Sequence, residues 1–211
     1  MTNPEPRDKN GLTEAEFLAQ YTPKKYPQPS LTADICVFTR QAAARAGLKL
    51  LLVRRGGHPF LGCWATPGGF CNPNETADQC AERELAEETG VTGLALEPMY
   101  LYSTPGRDPR GWTASYAFVA LDEKGSIPVA ADDAADVAWF DVAAEDSPAA
   151  ADAPADTTLV LTHGDTRLTS TFTIVEQPIT HRRRAHVTSA DGLAFDHAQI
   201  VADAWLTLHR A

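Results

Sequence analysis

The chain has 211 residues, 44% of them hydrophobic and 22% charged, which suits one folded domain with an attached arm or insertion and excludes a disordered polymer. Its 18 Lys and Arg stand against 28 Asp and Glu, a formal charge of −10 that argues against nonspecific binding to DNA or anionic membrane. No apolar run approaches the ~20 residues of a membrane span, and the N-terminus carries charges where a secretory signal would carry an apolar core.

Residues 1–30 are polar and hold Pro4, Pro6, Pro23, Pro27 and Pro29. They read as an arm around one short helix, Thr13 to Gln20, with Thr13 and Glu16 as a capping box. Thr32 to Thr39 and Leu48 to Arg54 read as the strands of a hairpin, joined by a small-residue loop at 41–47. Glycines and prolines from Gly56 to Gly69 mark a long loop. A helix comes next, from Glu75 to Thr89, stopped by Gly90. Leu94 to Ser103, Thr113 to Leu121 and Val137 to Val142 read as further strands. Ala143 to Ala155 is a low-complexity linker, and Thr157 to Thr162 with Arg167 to Val175 flank the hairpin signal His163-Gly164-Asp165-Thr166. Residues 145–190 are therefore expected to be an insertion, a hairpin-like unit appended to a complete domain. Asp196 to His209 reads as a final helix with Asp196 as its N-cap. Cys36, Cys63, Cys71 and Cys80 form no CxxC pair and read as reduced thiols of a cytoplasmic protein.

The helix at 75–89 carries the chemistry. Ala77, Cys80, Ala81, Glu84 and Glu88 share one stripe, because steps of three and four stay on one helical face. Glu84 and Glu88 stand where that stripe asks for apolar residues, and Glu87 lies on the adjacent flank. Three carboxylates within a turn repel one another unless positive charge sits among them. Arg83 supplies one charge. A hard divalent cation, Mg²⁺ with Mn²⁺ as a substitute, would balance the rest. The competing reading is a solvated acidic face.

The surroundings decide between these readings. Gly69, five residues, Glu75, seven residues, Arg83-Glu84-Leu85, one residue, Glu87-Glu88, one residue, Gly90-Val91 fills every defined position of a known signature. In this the chain resembles the Nudix hydrolases, over Leu31 to Asp141 and the last helix. The resemblance implies an α/β fold, a Nudix-type α/β/α sandwich with a mixed β-sheet, here spanning 31–211 with the hairpin-like insertion at 145–190. It implies metal ligation by Glu84, Glu87, Glu88 and the backbone carbonyl of Gly68, with Arg83 orienting a ligand glutamate and Glu75 supporting the loop-helix junction. In this family the general base sometimes lies outside the signature. The acidic run Asp132-Asp133-Ala-Ala-Asp136 is the candidate source, Asp133 in particular, with a solvated acidic turn as the alternative. Bound Mg²⁺ would neutralise pyrophosphate oxygens and acidify a water.

The flanking sequence resembles the ADP-ribose pyrophosphatase branch. Pro105 lies fifteen residues past Gly90, and Leu193-Ala-Phe-Asp-His197 completes the pattern. The expected reaction is ADP-ribose to AMP and ribose 5-phosphate, by a homodimer whose residues 1–30 meet the partner subunit. Arg54, Arg55, Arg107 and Arg110 are either phosphate-binding cations or members of structural ion pairs. Trp64 and Trp112 read as half-buried core residues, with stacking on an adenine as the alternative, and His197 as a packing or hydrogen-bonding residue rather than a catalytic one. Two other functions compete: sanitation of oxidised nucleoside triphosphates, and an ADP-ribose-sensing regulator that carries a C-terminal winged helix. The intact signature and the end of the chain just after the last helix speak for the enzyme. No nucleic-acid or membrane partner is expected. The insertion is expected to cover the site, extend a dimer interface or shift substrate choice.

Overall fold

The computed structural model describes residues 5–23, 26–40, 47–130, 134–147 and 155–209. The arm holds α1 (Glu14–Gln20), capped as expected by the reciprocal Thr13–Glu16 box, and no residue within the helix is buried. The centre is β1 (Ser30–Arg40), β2 (Leu48–Arg55) and β6 (Thr113–Asp122), flanked by β5 (Glu97–Tyr102) and β7 (Ala134–Asp146), with β3 (Trp64–Ala65) and β4 (Gly68–Phe70) attached to β2 and β1. β1 and β2 pair antiparallel as a hairpin, while β1 and β6 pair parallel, so the sheet is mixed.

Period-two alternation sends the side chains of these central strands into two cores. Ala33, Ile35 and Val37 of β1, Leu51 of β2 and Phe118 of β6 pack against α2 (Ala77–Thr89). Cys36 and Phe38, Leu50 and Leu52, and Ala117 and Val119 face the opposite core with α3 (His197–Leu208). Helices on both faces of one mixed sheet make the α/β/α sandwich. Among the described residues no helix is long and apolar enough to cross a membrane.

Several expectations need correcting. Helix α2 begins at Ala77, because Thr76 and Gln79 form a capping box that fixes the N-cap one residue past Glu75. β7 runs through Asp146, so the first part of the supposed linker is strand; residues 148–154 lie outside the described set. The loop at 41–46 lies outside it too. The hairpin around Gly164 is present as β8 (Thr157–His163) and β9 (Thr166–Glu176), with β10 (Arg183–Asp191) after it. The hairpin is no appendage. The order β10-β9-β8-β7-β2-β1-β6-β5 continues the same sheet, and Leu159, Leu161, Leu168 and Phe172 are buried in the core that α3 covers. Asp203 ties α3 to this region by accepting from Tyr102 (2.7 Å), Arg184 (2.9 Å) and the Ala185 N–H (2.8 Å).

Candidate active site

Gly68 and Gly69 open β4, the strand that leads toward α2, and both owe their identity to close approach. A Cβ at Gly68 would collide with the Ala33 carbonyl oxygen of β1; one at Gly69 would stand 2.5 Å from the Glu84 carboxylate. The loop is then fastened to the helix by Arg83. Its guanidinium donates to both oxygens of Glu75 (2.7 and 2.9 Å), to the Phe70 carbonyl (3.0 Å), to Glu84 (2.7 Å) and to Glu87 (2.8 Å). Glu75 also accepts from the Asn72 N–H at 2.7 Å, and these bonds, Arg83's above all, hold its pKa down at about 2.

Cys80 and Ala81 seat α2 in its core, and the same stripe then brings Glu84 and Glu88 to the wall of a cleft of about 780 Å³. Burial pushes Glu88 up to about 7, against the Gly68 N–H that it accepts at 2.9 Å, and the nearby charges of Glu84 and Asp34 add to the rise. Burial raises Glu84 as well, opposed by Arg83 and reinforced by Glu87. Glu84 shares the Arg83 guanidinium with Glu75 and Glu87, and Glu88 forms no ion pair among the described residues. The hard oxygens of Glu84 and Glu88, with the Gly68 carbonyl, are the donor chemistry that suits Mg²⁺ or Mn²⁺. Glu87, one residue before Glu88, is turned out of the cleft: its side chain is 47% exposed and held by Arg83. Among the described residues no three His, Cys, Asp or Glu side chains already converge on one point.

The same cleft is lined by the four arginines, in two different settings. Arg107 is ion-paired: its side chain is 5% exposed and donates to Asp196 (2.6 and 2.9 Å) and Asp34 (3.2 Å). Arg110 is matched by Asp108, both of whose oxygens accept from it. Arg54 and Arg55 have no carboxylate partner among the described residues and use Nε on the carbonyls of Gly62 (3.2 Å) and Pro59 (2.7 Å). Burial, and then neighbouring Arg110, lowers the Arg55 pKa. Asp133 lies outside the described residues.

Sequence reasoning missed Asp34 and gave His197 no place in the cleft; both line it. The Thr66 N–H donates to His197 Nδ1 at 3.0 Å, which leaves the proton on Nε2, 3.5 Å from Asp34. Burial lowers the His197 pKa and keeps the ring neutral. Asp34 also accepts from Ser115 at 2.5 Å. Trp64 is buried against Phe140, as expected of a packing residue, whereas Trp112 is 56% exposed.

Fold and cleft together define an α/β/α sandwich with one cleft lined by a carboxylate-bearing helix and by arginines. The sequence profile of the NUDIX domain matches residues 29–160, and the chain belongs to that family. It is 43% identical over 94 residues to an ADP-ribose pyrophosphatase of Methanocaldococcus jannaschii, covering 44% of this chain and 55% of that one. It is 36% identical over 114 residues to the ADPR responsive transcriptional repressor NtrR of Acinetobacter baylyi, covering 53% and 44%. The chain thus spans about half the length of these curated relatives. Among solved structures, a MutT/nudix family protein from Enterococcus faecalis aligns with TM-score 0.73 and 33% identity over 93% of this chain and 70% of that one. The NUDIX domain of Shewanella oneidensis NrtR complexed with ADP ribose aligns with TM-score 0.62 and 30% identity over 93% and 99%.

Proposed function

We propose that this protein is a Mg²⁺-dependent pyrophosphohydrolase that cleaves ADP-ribose to AMP and ribose 5-phosphate. The observation that carries the reading is the intact carboxylate helix, with Glu84 and Glu88 lining a cleft that Arg54 and Arg55 also line. Glu84, Glu88 and the Gly68 carbonyl would hold the cation, with Glu87 joining on release from Arg83. The cation, when bound, supplies charge for the phosphate oxygens and acidifies water. Arg83 and Glu75 keep the glycine loop fixed to the helix, so the ligands need little reorganisation. Arg54 and Arg55 orient the diphosphate, and Asp133 is our candidate for the base that takes a proton from the attacking water. The 43% identical archaeal pyrophosphatase supports the choice of ADP-ribose.

A second reading, an ADP-ribose-responsive regulator, is favoured by the likeness to NtrR and to the NrtR domain complexed with ADP ribose. One experiment separates the two. Purified protein with Mg²⁺ is offered ADP-ribose, NADH, diadenosine polyphosphates, nucleotide sugars and 8-oxo-dGTP. The expected result is fastest turnover of ADP-ribose. Preference for 8-oxo-dGTP would overturn the substrate, and tight ADP-ribose binding without turnover would overturn the enzyme in favour of the regulator.

A further inference from the structure

A second cleft, of about 630 Å³, opens between the turn that joins β9 to β10 and the last turn of α3, and it shares no residue with the first. It takes in most of the basic run His181-Arg182-Arg183-Arg184, a concentration of positive charge in a chain of formal charge −10. Arg184 is committed elsewhere: its guanidinium lies over the Tyr100 ring at 3.7 Å and pairs with Asp203 at 2.9 Å. Arg182 and Arg183 have no carboxylate partner among the described residues. Arg182 donates to the Met99 carbonyl at 3.1 Å and Arg183 to the His209 carbonyl at 3.5 Å. Each bond uses one N–H of a guanidinium, so most of both forks stays open.

Arg183 has an obvious carboxylate to hand and does not take it. Glu176 stands directly opposite it in the β9–β10 ladder, where side chains of opposite charge attract, and among the described residues Glu176 is the one carboxylate lining this cleft. His181 draws Glu176 away: the ring Nδ1 lies 2.6 Å from the Glu176 carboxylate. The His181 backbone holds φ 53°, in the left-handed region that residues with a Cβ rarely occupy. The turn is closed around it, because the His181 N–H donates to the Gln177 carbonyl at 3.0 Å and the Gln177 N–H donates to the Arg182 carbonyl at 2.9 Å. Backbone strain of this kind persists where the surroundings over-determine it, and it gathers at ligand sites. Here it delivers a ring to Glu176 and leaves two adjacent guanidinia uncommitted.

We propose that this cleft is a second, phosphate-binding site, in which the Arg182 and Arg183 guanidinia grip one tetrahedral oxyanion while His181 holds Glu176 aside. Forked donors match phosphate oxygens, and two adjacent cations suit a doubly charged group, either free phosphate or the phosphomonoester of a small metabolite. The cleft is large enough for a monoester with its sugar. The test follows the Nε–H resonances of Arg182 and Arg183 in the full-length protein by ¹H–¹⁵N spectroscopy. Inorganic phosphate and ribose 5-phosphate are titrated separately, without divalent metal, against sodium chloride of equal ionic strength. A readout local to these residues keeps phosphate bound at Arg54 and Arg55 from being counted. Saturable shifts at both arginines are expected; tighter binding of ribose 5-phosphate marks a monoester site, and equal or tighter binding of phosphate marks a site for the free anion. Arg183→Gln, read at Arg182, and Arg182→Gln, read at Arg183, should each weaken binding by about tenfold or more. His181→Gly suits the left-handed backbone, releases Glu176 toward Arg183 and should weaken binding by about three- to fivefold. Adding Glu176→Gln to it should restore affinity to within about twofold of wild type. Should His181→Gly fail to fold, the two arginine variants carry the comparison. The proposal is overturned if the resonances respond to phosphate no more than to chloride, if both arginine variants bind as wild type does, or if a folded His181→Gly binds unweakened or is not rescued by Glu176→Gln. No arm needs turnover, so failure here leaves the hydrolase reading untouched, and failure of that reading leaves this site standing.

Discussion

Gly69→Ala separates the position of one carboxylate from the stability of the fold. The added methyl would stand 2.5 Å from the carbon and both oxygens of the Glu84 carboxylate, where ordinary contact begins near 3.4 Å. Gly69 is not among the positive-φ glycines, so alanine fits its backbone. Relief comes from the Glu84 carboxylate swinging aside by about 1 Å, which strains its 2.7 Å bond to Arg83. A side-chain tip moves cheaply, and replacing glycine by alanine restricts the unfolded chain by about 0.4–1 kcal/mol, so the two nearly offset. The melting temperature should stay within about 3 °C of wild type. Catalysis should not: a misplacement of about 1 Å costs roughly 10²-fold, or about 2.7 kcal/mol of barrier. Steady-state hydrolysis of ADP-ribose at saturating Mg²⁺, beside thermal unfolding monitored by circular dichroism, makes the check. Gly68→Ala is the contrast, because its methyl meets the backbone of β1, which has no side chain to turn away; it should lose roughly 3 kcal/mol of stability. Turnover of Gly69→Ala within about twofold of wild type, in a protein of unchanged melting temperature, would refute the claim that the position of Glu84 governs the reaction.

Glu75→Gln tests the fastening of loop to helix by pH. A carboxylate held at about 2 in the folded chain against an ordinary 4.5 contributes stability that is whole above pH 4.5 and lost as pH falls toward 2. Wild type should therefore lose more stability across that window than the variant does, as read by urea unfolding at each pH; parallel profiles would remove the linkage. Arg107→Ala leaves Asp34 and Asp196 without their shared cation, Asp34 in a nearly closed site, and should cost about 3–5 kcal/mol. Arg54→Ala should leave the melting temperature within about 2 °C but raise KM for ADP-ribose by about tenfold, the two arginines trading places if their roles are assigned wrongly. Phe172→Ala in β9 empties a fully buried site and should cost about 3–5 kcal/mol, seen as a fall of roughly 10 °C in melting temperature. A melting temperature unchanged by that substitution would return residues 157–191 to the status of an appended unit.

The parts of this structure that were legible in the sequence are those specified by short-range spacing. The stripe of α2, its stop at Gly90 and the Gly164 turn each depend on residues a few positions apart. Even Arg83's grip on Glu75 spans only eight residues. The low-complexity run obscured the role of β8 and β9, because a linker ahead of a hairpin looks the same whether the hairpin stands alone or extends a sheet. Only the burial of Leu159, Leu161, Leu168 and Phe172 beneath α3 separates the two cases.

The arginines show the same limit at the site. Arg107 and Arg110 sit three residues apart in one loop and look alike in sequence. Arg110 finds its carboxylate two residues back, while Arg107 finds Asp34 and Asp196 at separations of 73 and 89. One is half-exposed and the other sealed in, and nothing local to the loop distinguishes them. His197 reaches Thr66 across 131 residues, and that bond, with Asp34 behind it, fixes the tautomer of a ring at the cleft. These long-range pairs join the β3–β4 loop, β1, the 104–112 loop and the start of α3 into one wall. Asp34, Thr66, Arg107 and His197 of that wall line one cleft with Glu84 and Glu88 of α2, so the helix that announces the family in sequence supplies only part of a surface assembled from the rest of the fold.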